Sequence, residues 1–287
     1  MANYQIITDS GSDLPKKVLE QLDVTAVPLL VNFREQTLED SVDEGIREMY
    51  NAFREGAVAT TSAINPDRWE KAIEPALEKG EDALVIAFSS GLSTTYQSAV
   101  IAADELSQRY PERTVKVVDG LCASLGQGLL VWHAAQKRKE GLSLDALTDW
   151  LETAKYQLCH WFTVDDLVYL KRGGRVSAAS ALVGTMLKIK PVLHVDDEGH
   201  LISKAKVRGR KASVDMLFDK AKELALPGKN PVMFICHGDC IEDAKYLESR
   251  VKEELGVQEV LIGYTGAVIG SHSGPGTLAL FFLGEHR

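Results

Sequence analysis

A hydroxyl-rich turn between an apolar strand and a helix is the segment of this sequence best suited to bind an anion. The stretch ALVIAFSSGLSTTYQS at residues 83–98 places Ser90, Gly91 and Ser93 just before the predicted helix. The unpaired N–H groups and positive dipole end of a helix N-terminus attract carboxylates and phosphates, and glycine allows close approach to the backbone. A second interpretation stays open, in which Ser90 or Ser93 only caps the helix.

Two further segments carry small polar groups. Thr61 and Ser62 precede a helix that we expect to begin near Pro66, where a capped loop is the more usual explanation. His272 follows Gly270 within the sequence IGSHSGPG, where it has little apolar surface to bury, so we interpret it as a hydrogen-bond donor to an anion. We interpret the other histidines as ordinary surface residues: His133, His160, His194, His200, His237 and His286.

The sequence LKRGGRVS at residues 170–177 forms a basic glycine turn before an apolar helical stretch. Lys171, Arg172 and Arg175 are either a solvated loop tip or a contact for a phosphate or a protein partner. In the second interpretation the turn lies beside an apolar wall, made by Leu182, Val183, Met186 and Leu187. Basic residues also recur at every second position, which would place them on one face of a strand and protect a sheet edge: Lys204, Lys206, Arg208 and Arg210.

Composition restricts the class of protein. A chain of 287 residues with 45% hydrophobic content can bury a large core, and its length favours two domains. The net charge of −9 argues against a nucleic-acid partner, because binding to phosphates needs a basic surface. Residues 161–215 carry a local excess of positive charge and are a candidate docking region.

Neither a membrane span nor a secretion signal is visible in the sequence, so we expect a cytoplasmic protein. The four scattered cysteines are typical of reduced intracellular thiols. Cys236, His237 and Cys240 suggest zinc, but no second Cys/His pair stands at a suitable spacing to complete four ligands. We therefore predict no metal and no cofactor.

Alternating strand and helix patterns up to about residue 139 predict a parallel sheet covered by helices on both faces. Ligands of such sheets lie beyond the carboxyl ends of the strands, where residues 8–13, 89–93 and 119–120 form polar turns. After Gly141 the pattern changes to α+β. We predict an α/β fold of two lobes: a parallel-sheet, Rossmann-like domain at 1–155 and an α+β domain at 156–287.

Six ordered motifs together make the chain resemble the DegV family, the bacterial fatty-acid-binding proteins that include the FakB subunits of fatty acid kinase. The resemblance covers nearly the whole chain. The motifs are TDS with DLP at 8–15, TS before Pro66, SSGLS with TYQSA at 89–99, Asp119 with Ser124 and GQG, LKRGGRVS at 170–177, and Gly270 with His272 and GPG.

The resemblance implies a lipid buried between the two lobes, with its carboxyl group held by residues matching Thr61, Ser62, Ser93 and His272. We add Ser90, Gly91 and Gly270 to this expected ligand site. The resemblance also implies that a separate ATP-dependent kinase subunit phosphorylates the carboxylate and that the loop carrying Arg172 lies near the partner. A transient membrane contact, the identity of the fatty acid and the oligomeric state stay open.

Two other activities would use some of these residues. A serine hydrolase would use Ser93 or Ser90 with His272 and with Asp119 or Asp9, but the nucleophile-elbow motif G-x-S-x-G does not accompany them. A phosphatase or sugar-phosphate enzyme built on Asp9 would require a metal. The sequence contains neither a phosphate-binding GxxxxGK[ST] loop nor a kinase signature, so nothing in it suggests that the chain binds ATP by itself.

Overall fold

A computed structural model describes residues 3–176 and 188–287 and contains three sheets. Sequence residues up to 154 form the following elements, in chain order: β1 (Tyr4–Asp9), a short 3-10 turn (Ser10–Ser12), α1 (Lys16–Leu22), β2 (Val24–Val27), β3 (Leu30–Phe33), β4 (Gln36–Glu39), α2 (Ile46–Arg54), β5 (Thr60–Ser62), α3 (Pro66–Glu78), β6 (Asp82–Ala87), α4 (Thr95–Arg109), β7 (Val115–Asp119), α5 (Leu125–Lys139) and α6 (Leu144–Ala154).

The second part of the chain continues with β8 (Leu158–Thr163), α7 (Val168–Arg172), β9 (Ile189–Val195), β10 (Leu201–Arg208), α8 (Arg210–Leu224), β11 (Val232–His237), α9 (Ile241–Leu255), β12 (Glu259–Tyr264), α10 (Ala267–Ser273) and β13 (Leu278–Leu283). Its strands form one mixed sheet of order β10-β9-β8-β13-β11-β12, in which only β11 and β12 pair in parallel.

The predicted parallel sheet is confirmed, with order β2-β1-β6-β7 and every neighbouring pair parallel. Its two central strands are almost wholly buried, as expected for strands covered by helices on both faces. The α/β fold class with a parallel sheet followed by a mixed sheet is therefore the fold that the sequence predicted.

A small antiparallel sheet of order β4-β3-β5 was not predicted. The pattern from Val24 to Val31 suggested one strand, but the chain leaves the parallel sheet at Pro28, which has no N–H to donate to a neighbouring strand. Residues Thr60–Ser62 form a strand on the opposite edge of β3, rather than the expected loop. The helix cap belongs instead to Asn65, whose side chain accepts a hydrogen bond from the Arg68 N–H.

Helix α5 lies between the two large sheets and belongs to a hydrophobic cluster that includes Ile6 of β1 and Phe281 of β13. Glycines on this helix permit the contact: an alanine Cβ at Gly126 would lie 2.9 Å from the Phe281 ring, and one at Gly128 would lie 2.7 Å from the Ser12 carbonyl oxygen. We retain 1–155 and 156–287 as the proposed domains, since this division falls between α6 and β8.

The basic stripe on β10 is less regular than its spacing suggested. A bulge between Ser203 and Ala205 leaves Lys204 as an extra residue, so only Lys206 and Arg208 keep the alternation, and Arg210 begins α8. The prediction that all four basic residues share one strand face is wrong, although β10 is the edge strand of its sheet.

Across residues 3–176 and 188–287, the structure contains no helix that is both long and apolar enough to cross a membrane.

The close approach of α5 to the turn after β1 predicts that Gly128→Ala destabilises the protein. The added methyl group would press on backbone that cannot rotate away, and such overpacking costs about 1–3 kcal/mol, more than the helix propensity that alanine gains. Urea denaturation should show a lower free energy of unfolding, whereas Gln136→Ala on the same helix should leave it nearly unchanged. An unaltered midpoint for Gly128→Ala would contradict this packing.

Candidate functional site

A cavity of about 380 Å³ lies between the carboxyl ends of β6 and β7 and the inner face of the mixed sheet. This volume falls within the range of small-molecule sites, about 300–1,000 Å³. Much of its wall is apolar, including Leu29, Phe88, Leu92, Phe162, Val268 and Ile269. The position beyond the carboxyl ends of parallel strands is where a ligand of such a sheet is expected.

The hydroxyl of Thr61 and the imidazole of His272 are directly hydrogen-bonded at the cavity wall, with 2.8 Å between Thr61 Oγ1 and His272 Nε2. The two side chains come from β5 and α10, which pack against each other. Burial, followed by the positive charge of Arg175, lowers the pKa of His272 to about 4. At neutral pH the imidazole is therefore uncharged and acts as a neutral hydrogen-bonding group.

Helix α10 is held in place by a buried carboxylate at its N-terminus. Asp40 Oδ1 accepts a hydrogen bond of 2.9 Å from the Val268 N–H, and Asp40 Oδ2 accepts one of 2.7 Å from the Ser10 hydroxyl. Ser10 in turn accepts from the Leu29 N–H. A carboxylate at this end of a helix stabilises it through both the free N–H groups and the helix dipole.

The turn after β6 brings Ser90 and Ser93 to the cavity. Ser93 Oγ accepts a hydrogen bond of 3.2 Å from the Thr95 N–H and lies 2.8 Å from the Thr95 hydroxyl. The Ser90 N–H donates to Asp119 Oδ1, which also accepts from the Leu121 N–H and so ties the turns after β6 and β7 together. Ser93 thus supports the start of α4 and lines the cavity at the same time.

The basic turn reaches the cavity through Arg175, not through its first two basic residues. The Arg175 Nε donates to the Leu92 carbonyl at 3.2 Å, and its Nη1 donates to the Gly173 carbonyl. Gly173 lies against the imidazole, because an alanine Cβ there would stand 2.1 Å from His272 Nδ1. The turn therefore covers the same imidazole that contacts Thr61.

Several predicted site residues do not line the cavity. Gly91 packs against the backbone of Glu198 and Gly199, and Gly270 packs against the Tyr50 hydroxyl. Arg172 lies over the Tyr169 ring, 5.5 Å from its centroid, and Lys171 lies beside it in α7. By contrast, Ser62 lines the cavity with Thr61. The four predicted wall residues, Leu182, Val183, Met186 and Leu187, fall outside the described residues.

Three buried carboxyl groups surround the turn after β1. Asp9 accepts hydrogen bonds from the N–H groups of Phe88 and Gly11, and burial raises its pKa to about 7. Burial likewise raises the pKa of Asp40 to about 6 and that of Asp13 well above its usual value. The hydrogen bonds of Asp9 join β1 to the end of β6, which gives this carboxyl group a structural explanation.

Among the residues that the structure describes, neither Ser90 nor Ser93 is hydrogen-bonded to a histidine, as a serine hydrolase would require. Ser93 is engaged with Thr95, and His272 with Thr61. Asp119 and Asp9 accept from backbone N–H groups. Within the described ranges, no group of three or more His, Cys, Asp or Glu side chains is arranged to hold a metal ion. The Cys240 thiol donates to the Thr277 carbonyl at 3.2 Å.

The structure adds cavity residues that the sequence did not suggest, above all Ser124, His160, Cys236 and Thr265. The prediction of surface histidines is wrong for four of them, because α5, β8, β9 and β11 turn these rings inward: His133, His160, His194 and His237. Thr265 directly follows β12, and Ser124 lies in the turn between β7 and α5, as Ser90 and Ser93 lie in the turn between β6 and α4, so their positions carried a usable signal.

Fold and cavity together define a two-lobed α/β protein with a partly apolar cavity between its main sheets. The chain matches a family model described as "Uncharacterised protein, DegV family" over residues 3–285. A DegV domain-containing protein of Clostridium perfringens is 45% identical over 289 residues, covering 100% of this chain and 99% of that protein. The chain belongs to the DegV family, as its motifs predicted.

Solved structures of the family agree with this fold. A DegV family protein from Thermus thermophilus that binds fatty acid gives a TM-score of 0.88 at 33% identity, covering 98% of this chain and 99% of that chain. DegV of Bacillus subtilis, a fatty acid binding protein, gives a TM-score of 0.83 at 30% identity, covering 99% of this chain and 100% of that chain.

The depressed pKa of His272 predicts that binding of a carboxylate takes up protons. A carboxylate beside the ring favours the imidazolium and raises its pKa above about 4, so the affinity should rise as the pH falls below neutral while the ligand stays ionised. Calorimetry near pH 6 in buffers of different ionisation enthalpy measures this uptake.

His272→Gln should remove this uptake, and His200→Gln, at an exposed ring, should retain it. The buried carboxyl groups are present in all three proteins. Any proton uptake by them is therefore the same in each protein and does not affect the comparison. Equal uptake by the wild type and His272→Gln would contradict the assignment.

Proposed function

We propose that this chain binds a long-chain fatty acid in the cavity, with the carboxyl group beside Thr61, Ser62, Ser93 and His272. One observation carries the proposal: these four side chains line one partly apolar cavity, where Thr61 and His272 are hydrogen-bonded to each other and Arg175 is also a lining residue. The relatives from Thermus thermophilus and Bacillus subtilis, which bind fatty acids, support the same ligand class.

The two parts of the cavity would contribute differently to binding. Burial of an alkyl chain stabilises a complex by about 0.8 kcal/mol per CH₂, so roughly sixteen carbons gain on the order of 12 kcal/mol relative to water. Each hydrogen bond to a charged head group contributes only about 1.5–3 kcal/mol. The apolar wall therefore supplies most of the affinity, and Thr61, Ser93 and His272 fix the orientation of the carboxylate.

The remaining predicted residues take roles that fit their positions. Ser90 joins the polar wall, while Gly91 and Gly270 support the site through the close contacts that only glycine permits. We retain Leu182, Val183, Met186 and Leu187 as proposed parts of the acyl-chain wall. In this proposal residues 1–155 supply the hydroxyl-rich turns and residues 156–287 line much of the acyl pocket.

We further propose that the chain is a non-catalytic subunit that presents the carboxylate to a separate ATP-dependent kinase. The kinase would transfer the γ-phosphoryl group of ATP to a carboxylate oxygen, which yields an acyl-phosphate and ADP. Lys171 and Arg172 support this role, because they stand next to the turn that covers His272 without lining the cavity. The same basic surface would serve any transient contact with an anionic membrane.

Extraction of the purified protein, followed by mass spectrometry, should identify a bound long-chain fatty acid. Ser93→Ala and His272→Ala should each weaken fatty-acid binding by about tenfold to a hundredfold, since each removes a hydrogen bond to a charged group. Titration of the lipid-free protein with a fluorescent fatty acid measures the loss. Ser98→Ala and His200→Ala are matched controls outside the cavity, and affinities equal to these controls would remove Ser93 and His272 from the site.

The hydrolase alternative makes a different prediction for the same proteins. A serine nucleophile would be labelled by a fluorophosphonate and would cleave acyl esters, whereas the proposed carrier should do neither. Labelling of the wild type that is lost in Ser93→Ala would overturn the non-catalytic assignment while leaving fatty-acid binding intact.

Arg172→Ala should weaken the interaction with the kinase but not with the fatty acid, because its guanidinium lies outside the cavity. In a reconstituted kinase reaction the KM for this protein should rise several-fold and depend less on salt than that of the wild type. Lys229→Ala, at an exposed position, is the control for a general charge effect. An unchanged KM would contradict a partner role for Arg172.

A further inference from the structure

A second group of polar side chains faces the cavity away from the proposed head-group site. Ser124, His160, Cys236 and Thr265, here called the inner polar patch, all line the cavity. They come from the start of α5, from β8, from β11 and from the end of β12. A plain alkyl chain would offer these groups no hydrogen bond, so the patch is unexplained by the proposed function alone.

Two members of the patch lack partners among the residues that the structure describes. Thr265 is 0% exposed, and its Oγ1 has no hydrogen-bond partner in residues 3–176 and 188–287. His160 is 4% exposed, and within the same ranges its Nδ1 has none. The His160 Nδ1 lies toward α5, since an alanine Cβ at Gly126 would stand 3.3 Å from it, so it does not face the ligand. Buried polar groups are nearly always paired, so the unpaired Thr265 hydroxyl beside the cavity points to a partner that the ligand supplies.

The hydrogen bond of Ser124 leaves its oxygen able to accept another. Ser124 Oγ donates to Asp13 Oδ2, which uses the hydroxyl proton and leaves lone pairs free to receive a donor. Thr265 can both donate and accept. The patch therefore matches a group that donates one hydrogen bond and accepts another, which is what an alcohol does.

The charge of the patch excludes a second carboxylate. Burial raises the pKa of the Cys236 thiol to about 12 and, together with the charges of His194 and Arg287, lowers the pKa of His160 well below its ordinary value, so both are neutral. The carboxyl group of Asp13 lies directly behind Ser124. A ligand carboxylate would be desolvated here without a cation in the patch, which is costly.

Helix α10 sets the separation of the patch from the head-group site. Thr265 comes just before the helix and His272 lies in its last turn, and a rise of about 1.5 Å per residue separates them by roughly 10 Å. With C–C bonds of about 1.5 Å in a zigzag, an extended alkyl chain advances about 1.25 Å per carbon. With the carboxyl group beside His272, Thr265 thus stands about eight carbons along an extended chain.

We propose that this cavity selects long-chain fatty acids that carry a neutral hydroxyl group near the middle of the chain. The inference rests on the proposed fatty-acid site and narrows its substrate class. The ligand hydroxyl donates to Ser124 or Thr265 and accepts from the Thr265 hydroxyl or the Cys236 thiol, so that buried groups gain partners that a plain chain leaves unpaired.

Competition binding to the lipid-free, full-length protein tests this inference with three saturated acids of equal length. One is unsubstituted, one carries a hydroxyl about nine or ten carbons along the chain, and one carries it at the terminal carbon. The wild type should bind the mid-chain hydroxy acid at least about tenfold more tightly than the other two, because pairing buried polar groups outweighs the desolvation of one alcohol.

Variants at Thr265 separate the hydroxyl from the shape of the cavity. Thr265→Val keeps the volume and removes the hydroxyl. The variant should therefore bind the mid-chain hydroxy acid and the other two acids with affinities within about twofold of each other. Thr265→Ser retains the hydroxyl and should keep the preference, even if the lost methyl weakens all three acids alike. Thr148→Val, in α6 and outside the cavity, is the control for a threonine-to-valine change.

Each outcome is decisive for one of the two proposals. If no fatty acid binds to the wild type, the proposed function itself fails. If the unsubstituted acid binds as tightly as the mid-chain hydroxy acid, the proposed function stands and the inner polar patch does not select a hydroxyl group, as would follow if a trapped water satisfied it. A preference that survives Thr265→Val would also overturn the inference.

Discussion

The position of α10 depends on one buried interaction, the carboxylate of Asp40 at the helix N-terminus. Asp40 receives the Val268 N–H and the Ser10 hydroxyl, and Ser10 receives the Leu29 N–H, so the helix is joined to the turn after β1 and to the small sheet. Each polar region of the cavity has one residue whose position depends on this anchoring, because Thr265 stands before the helix and His272 lies in its last turn. A shift of α10 would move both together.

Burial determines how the polar groups of the site can act. Low exposure lowers the pKa of His272 to about 4 and raises that of Cys236 to about 12, so both are neutral at neutral pH before a ligand binds. Neutral donors suit a cavity that must also accept an alkyl chain, because an unpaired charge in the same place would cost far more. Arg175 supplies a cation at the polar wall, where its own hydrogen bonds to Leu92 and Gly173 hold it.

Close backbone contacts at glycines shape the site from behind. Gly126 and Gly128 let α5 approach β13 and the turn after β1, while Gly173 lets the basic turn lie on the imidazole of His272. Glycine motifs in the sequence pointed to ligand contact at Gly91 and Gly270, but these two residues pack against protein. A glycine pattern shows that something comes close to the backbone, and it does not show whether that is a ligand or another segment.

The sequence by itself determined the family, the parallel sheet and the kinds of group at its carboxyl ends, because hydrophobic periodicity and turn chemistry are local properties. Only the tertiary structure decided that Thr61 meets His272 across 211 residues, that Pro28 separates two sheets, and that His160 faces a cavity. Alternation along a strand marks a side chain as inward-facing without saying whether packed protein or a cavity lies opposite. That depends on elements distant in the chain.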